Sequence, residues 1–274
     1  MIFDRLFGKR GGSRSDSSEE EHADTATPAE AEVDEDHDAV DEDHDAVDEE
    51  RDAVDEAHTG ADAPADDTDW DAFDARWWRD DGPYDLSEVD AELLDEPDPM
   101  RIDLGSLIVT GFEGMELRLQ VSEETQQVMS ALLIKGDSAL EIAAFAAPRS
   151  GGLWSELREE IVTATNEAGG SVAHVKGPFG TELRRLLPVQ TPDGEQGYQP
   201  SRMWVAQGPR WCLRGVLYGQ ASVSEGLDGP VAPLLETFRK IVVRRGDVAM
   251  APGDLLELTM PDGARPATPE TPRG

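Results

Sequence analysis

From Met115 to Ile241 apolar residues recur at two spacings that alternate along the chain. Met115, Leu117, Leu119 and Val121 are separated by Glu116, Arg118 and Gln120, the period of two that marks a strand with one buried face. Val128–Lys135 and Ala139–Phe145 flank Gly136-Asp137-Ser138 and predict a hairpin with a short polar turn. Trp154, Leu157, Ile161 and Ala164 then fall at helical spacing until Gly169-Gly170 stops the run. Three further strands are expected at 181–189, 201–206 and 210–218, joined through Pro192-Asp193-Gly194 and Gln207-Gly208-Pro209. A second helix runs from Pro230 to Ile241, with proline at its first position and Val231, Leu234, Leu235, Phe238 and Ile241 on one face. Each helix has one stripe to bury. The expected architecture is therefore α+β: a single domain over 100–260, with a largely antiparallel sheet packed by two helices, sandwich-like in an α/β/α sense.

Upstream the periodicity vanishes. Residues 34–54 read DEDHDAV, DEDHDAV, DEERDAV, and a decayed DEAHTGA follows. A spacing of seven invites a coiled coil, but each repeat supplies one valine beside an alanine instead of two separated apolar positions, and its acids repel one another. Of the chain's formal charge of -35, residues 1–100 contribute -30, with 37 acidic against 7 basic side chains. Low hydropathy with high charge is the signature of a disordered segment, so 1–68 is read as a disordered acidic arm and 261–274, rich in proline and threonine, as a loose tail. Such a charge disfavours nonspecific binding to nucleic acid or to an anionic membrane surface. No run approaches the roughly 18 apolar residues of a membrane span, and the opening MIFDRLFGKRGGSR is read as an unstructured terminus. The single cysteine, Cys212, rules out an intrachain disulfide and fits a cytoplasmic setting.

Between arm and domain, residues 69–99 form an aromatic and acidic linker. Trp70, Phe73 and Trp77 stand at i, i+3 and i+7, with Trp78 and Tyr84 close behind. This predicts a helix that Asp69 caps and Gly82-Pro83 ends. Rings of this size bury about 150–250 Å² each, and nothing local covers them. They are expected to dock on the chain's own domain or on a protein partner.

Candidate chemistry is sparse. Pro148-Arg149-Ser150-Gly151-Gly152 leads into the first helix, where free backbone amides, two glycines and one arginine make a candidate anion cradle. It lacks the Gly-Lys-Ser/Thr of a P-loop. Arg184, Arg202 and Arg214, with Arg185 and Arg210 nearby, form a basic face if the sheet register aligns some of them. That face would take a phosphate or carboxylate group, or the acidic arm. Four of five histidines, His22, His37, His44 and His58, lie in the arm, where a disordered chain holds no fixed metal geometry. His174 has no nucleophile motif beside it, and Cys212 lies between Trp211 and Leu213 without an assignable base. Trp204 and Trp211 are read as core, and Arg245-Gly246-Asp247 as a turn. No catalytic residue, metal or cofactor is expected.

The motifs GPYDLSEVD, RIDLGSL, GDSAL, FAAPRSGGLWSELREEI, GPFGTEL, GPRWCLRGVLYG and RRGDVAM, in that order from Gly82 to Met250, resemble an actinobacterial family known as domain of unknown function 3710. The resemblance implies a bacterial cytoplasmic protein and brings no activity, cofactor or site residue with it. The order of strands and helices also resembles Mog1/PsbP-type domains, a fold mostly of binding and assembly factors. The reading reached from sequence is a noncatalytic binding or assembly module with an acidic regulatory or solubilising arm. The alternatives are an enzyme or sensor domain that binds an anionic metabolite at the PRSGG loop, and an acidic nucleic-acid mimic.

Overall fold

A computed structural model describes residues 68–261, apart from 77, 123 and 191–193. The arm, its repeats and its histidines, Trp77 and the C-terminal tail lie outside the described residues.

The main sheet has seven antiparallel strands: β4 (Glu116–Val121), β5 (Val128–Lys135), β6 (Ser138–Ala146), β7 (Ser171–Gly177), β8 (Gly180–Gln190), β9 (Gln196–Gly208) and β10 (Trp211–Gly219). Their spatial order is β4-β5-β6-β10-β9-β8-β7. The helix α3 (Leu153–Glu167) leaves β6 and crosses one face. Its stripe of Leu153, Trp154, Leu157 and Ile161 packs on Phe145, Leu183, Met203, Val205 and Cys212. Full burial of such side chains stabilises by about 1.5–3 kcal/mol each, which is why the stripe decides where the helix lies.

The opposite face carries α5 (Ala232–Arg239), which buries Leu234, Leu235 and Phe238 against Leu140, Trp204, Leu213 and Leu217. Beside it lies a second, mixed sheet of β1 (Tyr84–Asp85), β11 (Val242–Val243), β3 (Leu107–Thr110) and β2 (Arg101–Asp103), in that order. Of the short helices, α1 (Trp70–Asp74) precedes β1, α2 (Ala91–Asp95) lies between β1 and β2, and α4 (Gln220–Val223) follows β10. The domain is α+β, with an antiparallel sheet between two main helices.

Trp204 and Trp211 are both core residues, and each stands across the β9–β10 ladder from a glycine, Gly215 and Gly208. A Cβ on Gly208 would lie 2.1 Å from the Trp211 ring, so the tryptophan fills the space a side chain would need.

Candidate functional site

At one end of the main sheet two turns face each other. The β6–α3 loop, Ala147–Gly152, forms one wall of a groove, and the β9–β10 turn, Gln207–Trp211, forms the other. Together they enclose about 330 Å³. Gly151 and Gly152 adopt left-handed backbone angles, φ 73° and 84°, so the loop folds back before the helix begins and leaves its first turn without a side-chain cap from Gly152. Gln207 on the other wall reaches over, its Oε1 accepting from Trp154 N at 3.4 Å. A second tie joins the walls, Ala147 N donating to Arg210 O at 2.9 Å.

Arg149 and Arg210 stand on opposite walls of this groove. Neither guanidinium has a hydrogen-bond or ion-pair partner among the described residues. Arg245 joins them from behind, its Nε donating to Arg210 O at 3.1 Å. Burial, and then the charge of Arg210, push the Arg245 pKa down while Asp254 pulls it up. Arg149 and Arg210 thus bring two positive charges to the lining of one hollow in a strongly acidic chain. Ser150 is exposed at the rim.

The linker is docked against the same end of the domain. Asp69 caps α1 as expected, its carboxylate accepting from Ala72 N at 2.9 Å, but the helix stops at Asp74 instead of continuing to Gly82. Trp70 stacks on His174 of β7, with ring centroids 5.6 Å apart and 28° between planes. Phe73 packs on Trp78 at 4.6 Å, and the Arg76 guanidinium lies 4.6 Å from the centre of the Trp78 ring. The polar contacts are more specific than the aromatic ones. Asp71 and Asp74 both pair with Arg158 of α3, and Asp71 also accepts from Ser155 Oγ at 2.6 Å. Asp74 Oδ1 accepts from Thr181 N at 2.6 Å.

Arg79 is the deepest contact. It is 4% exposed, donates from Nε to Gln207 O at 2.8 Å and from Nη1 to Pro83 O at 2.6 Å, and forms a two-point pair with Glu88 at 2.9 and 3.0 Å. Its guanidinium lies 5.0 Å from the Trp211 ring centre, and Trp211 Nε1 donates to Asp85 at 2.8 Å. The electrostatics follow the geometry. Hydrogen bonds from Ser155 and Arg158 hold Asp71 below the ordinary carboxylate range, and the bond from Arg79 does the same for Glu88. Burial is the largest influence on Asp74 and raises its pKa against the pull of Thr181 and Arg158. Tyr84, the remaining aromatic of the linker, lies half-buried in β1.

The register aligns two of the three arginines expected on a basic face, and ion pairs occupy all three. In the β8–β9 ladder Arg184 stands opposite Arg202, so these two share a face, but Arg214 is opposite Val205 and projects to the other side. None of the three presents an open guanidinium. Glu182, 1% exposed, accepts two bonds from Arg202, one from Arg184 and one from Trp204 Nε1 at 2.6 Å. Arg214 pairs with Glu141 at 2.8 Å. The two arginines that line the groove are Arg149, marked by its loop, and Arg210, whose sequence signal is its position after Gly-Pro at a turn.

A second hollow of about 430 Å³ lies between the linker and the small sheet. Three of its charged residues are tied to neighbours: Lys240 to Glu236, Glu88 to Arg79, and Arg101 to the carbonyls of Leu94 and Glu96. Among the described residues no cluster of His, Cys, Asp or Glu has the makings of a metal site, and no helix is long and apolar enough to cross a membrane. Cys212 is buried and its thiol is pushed up to about 12 by that burial.

None of the curated proteins compared is similar to the chain. Among solved structures, a crystal structure of a Bacteroides thetaiotaomicron VPI-5482 protein is similar at 14% identity and a TM-score of 0.31. The match covers 51% of this chain and 46% of that one, so the chain spans less than half the length of that relative. The model of the family described as protein of unknown function (DUF3710) matches residues 82–267, well over half of the chain. The chain belongs to the DUF3710 family.

Proposed function

We propose that the domain is a noncatalytic binding module, and that its groove between Arg149 and Arg210 takes a compact anionic group, phosphate or carboxylate, from a metabolite or a protein partner. The observation that carries this is the pair of guanidiniums on facing walls, without partners among the described residues, in a domain that ties up Arg158, Arg184, Arg202 and Arg214 in ion pairs. A planar guanidinium offers a fork of donors matched to phosphate and carboxylate oxygens. The 15-residue helix α3 starts directly after the Arg149 loop, so the favourable end of its dipole lies next to that wall.

Calorimetric titration of the full chain with pyrophosphate and citrate tests this. Binding is expected with at least one probe, weakening as salt rises. Arg149→Ala and Arg210→Ala should each weaken it about tenfold, since a hydrogen bond to a charged group is worth about 1.5–3 kcal/mol and tenfold corresponds to about 1.4. No binding of either probe, or binding that both variants retain, overturns the reading.

A further inference from the structure

We infer that the segment Asp71–Glu88 is a clamp that sets the spacing of the two groove walls, so that anion binding and docking of the segment form one linked equilibrium; this rests on the groove reading above. The segment grips both walls from behind. On the loop-and-helix wall, Asp71 accepts from Ser155 Oγ at 2.6 Å and pairs with Arg158, both within the first two turns of α3. On the turn wall, Arg79 donates to Gln207 O at 2.8 Å and lies over Trp211, whose indole N–H is held by Asp85 at 2.8 Å. Between these two grips, Asp74 is fixed to β8 through Thr181 N at 2.6 Å.

The β6–β10 ladder joins the two walls at their base and ends at the Ala146–Trp211 pair. Beyond it, among the described residues, two cross-groove hydrogen bonds, Ala147 N to Arg210 O and Trp154 N to Gln207 Oε1, span them, and the second is long at 3.4 Å. Gln207 carries a bond from each side: its carbonyl takes Arg79, its side chain takes the start of α3. A displaced segment would therefore loosen the turn that presents Arg210 and the helix start behind Arg149 together. An anion bridging two guanidiniums needs them at one separation, and a pre-set separation avoids the cost of imposing it on binding. Asp71, Asp74 and Arg79 are thus positioning residues. None of them lines the groove, and they lie upstream of the family-matched region, which starts at residue 82. Linkage makes the coupling reciprocal: whatever factor the docked segment adds to anion affinity, the anion adds to docking.

The test uses the full chain, pyrophosphate as probe, and two readouts. Calorimetry gives the affinity of wild type, of Arg149→Ala, and of the double variant Asp71→Asn, Asp74→Asn, which keeps the shape of the contact while removing its charge. Amide hydrogen exchange at Phe73 and Ala75, whose N–H groups close α1 onto Asp69 O and Asp71 O at 2.9 Å each, reports docking. The double variant should bind about tenfold more weakly with an unchanged near-ultraviolet spectrum. In wild type, and not in Arg149→Ala, pyrophosphate should slow exchange at both amides by a similar factor. A passive structural segment would not respond to a ligand it never touches. If pyrophosphate binds in an Arg149-dependent way but the double variant binds as tightly as wild type, or the two amides ignore the ligand, the clamp is wrong and the groove stands. If neither pyrophosphate nor citrate binds, both fall; if citrate alone binds, it takes the place of pyrophosphate in the same measurements with the same outcomes. Should the double variant prove misfolded, Trp70→Ala, which removes the His174 stack and leaves every ion pair in place, serves in its stead with the same two outcomes.

Discussion

Replacing Glu182 with glutamine removes one charge and changes almost no volume, and it should be among the costliest single substitutions in the domain. The carboxylate is 1% exposed and accepts four bonds: Arg202 at 2.9 and 3.0 Å, Arg184 at 3.0 Å and Trp204 Nε1 at 2.6 Å. Arg202 is equally buried and also donates to the carbonyls of Ser224 and Gly226 at 2.8 Å, pinning the loop after α4 to the sheet. A glutamine leaves the Arg202 cation without a counter-charge and turns an NH2 group toward donors. Breaking a buried pair from one side costs about 3–5 kcal/mol, a large part of the 5–15 kcal/mol typical of a whole domain. Trp204 keeps an acceptor in the amide oxygen, so its share is largely spared.

The assay is urea unfolding followed by tryptophan fluorescence, on Glu182→Gln, Arg202→Met and the pair together. The double variant should recover most of the loss, because replacing both partners leaves no buried charge, and the coupling from the cycle should exceed about 2 kcal/mol. A single-variant loss below about 1 kcal/mol, or additive losses, would refute the assignment of this network as the polar core of the sheet.

Two further outcomes are expected. Cys212, 1% exposed with its thiol pushed up to about 12, should react with a thiol reagent only as fast as the domain unfolds; reaction at the rate of an open thiol in native buffer would contradict its placement. His174 is held below its ordinary 6.5 by burial first, then by the charge of Arg158, with Asp74 pulling the other way. Its folded pKa is depressed, so the undocked state binds the proton first, and docking is fully supported above about pH 6.5 and weakens as pH falls through it. Exchange at Phe73 and Ala75, corrected for intrinsic rate, should accelerate between pH 7 and 5 in wild type and lose that extra dependence in His174→Gln. The Asp71 carboxylate, held below its ordinary 3.8, does not contribute in this window.

Much of the main sheet could be read directly, for a physical reason. β4, β5, β6, β8, β9 and β10 are six to thirteen residues long, long enough for alternation to show, and α3 and α5 each keep one apolar stripe. The small sheet escaped because its strands have two to four residues, too few for any period. Arg214 was kept off the face of Arg184 and Arg202 by parity. Arg202 and Arg214 belong to neighbouring strands, and the turn at Gly208-Pro209-Arg210 pairs Trp211 with Gly208, which sets Arg214 opposite Val205 and away from Arg202. A shift of one residue in that register would have reversed the outcome. Arg149 was visible because its chemistry is local to one loop. Arg79 was not, because the carbonyl it meets is 128 residues away.

The linker helix shows which interaction leads. Spacing alone predicts a helix over most of 69–81, yet α1 has five residues. A single turn of helix fixes several residues for one or two hydrogen bonds and is unfavourable alone in water. What holds this one is external: Thr181 N and Arg158 take the carboxylates on its outer side, and His174 takes the Trp70 ring. Past Asp74 the chain leaves helical geometry because Arg79 must reach Gln207 and Trp211, and a continued helix would carry it on a different path. The buried guanidinium, with its five donors and a carboxylate beside it, outweighs the few tenths of a kcal/mol per residue that helix propensity offers. Docking therefore creates the helix and also ends it, which is why a change on the domain side, at Arg158 or His174, would melt α1 as surely as a change within it.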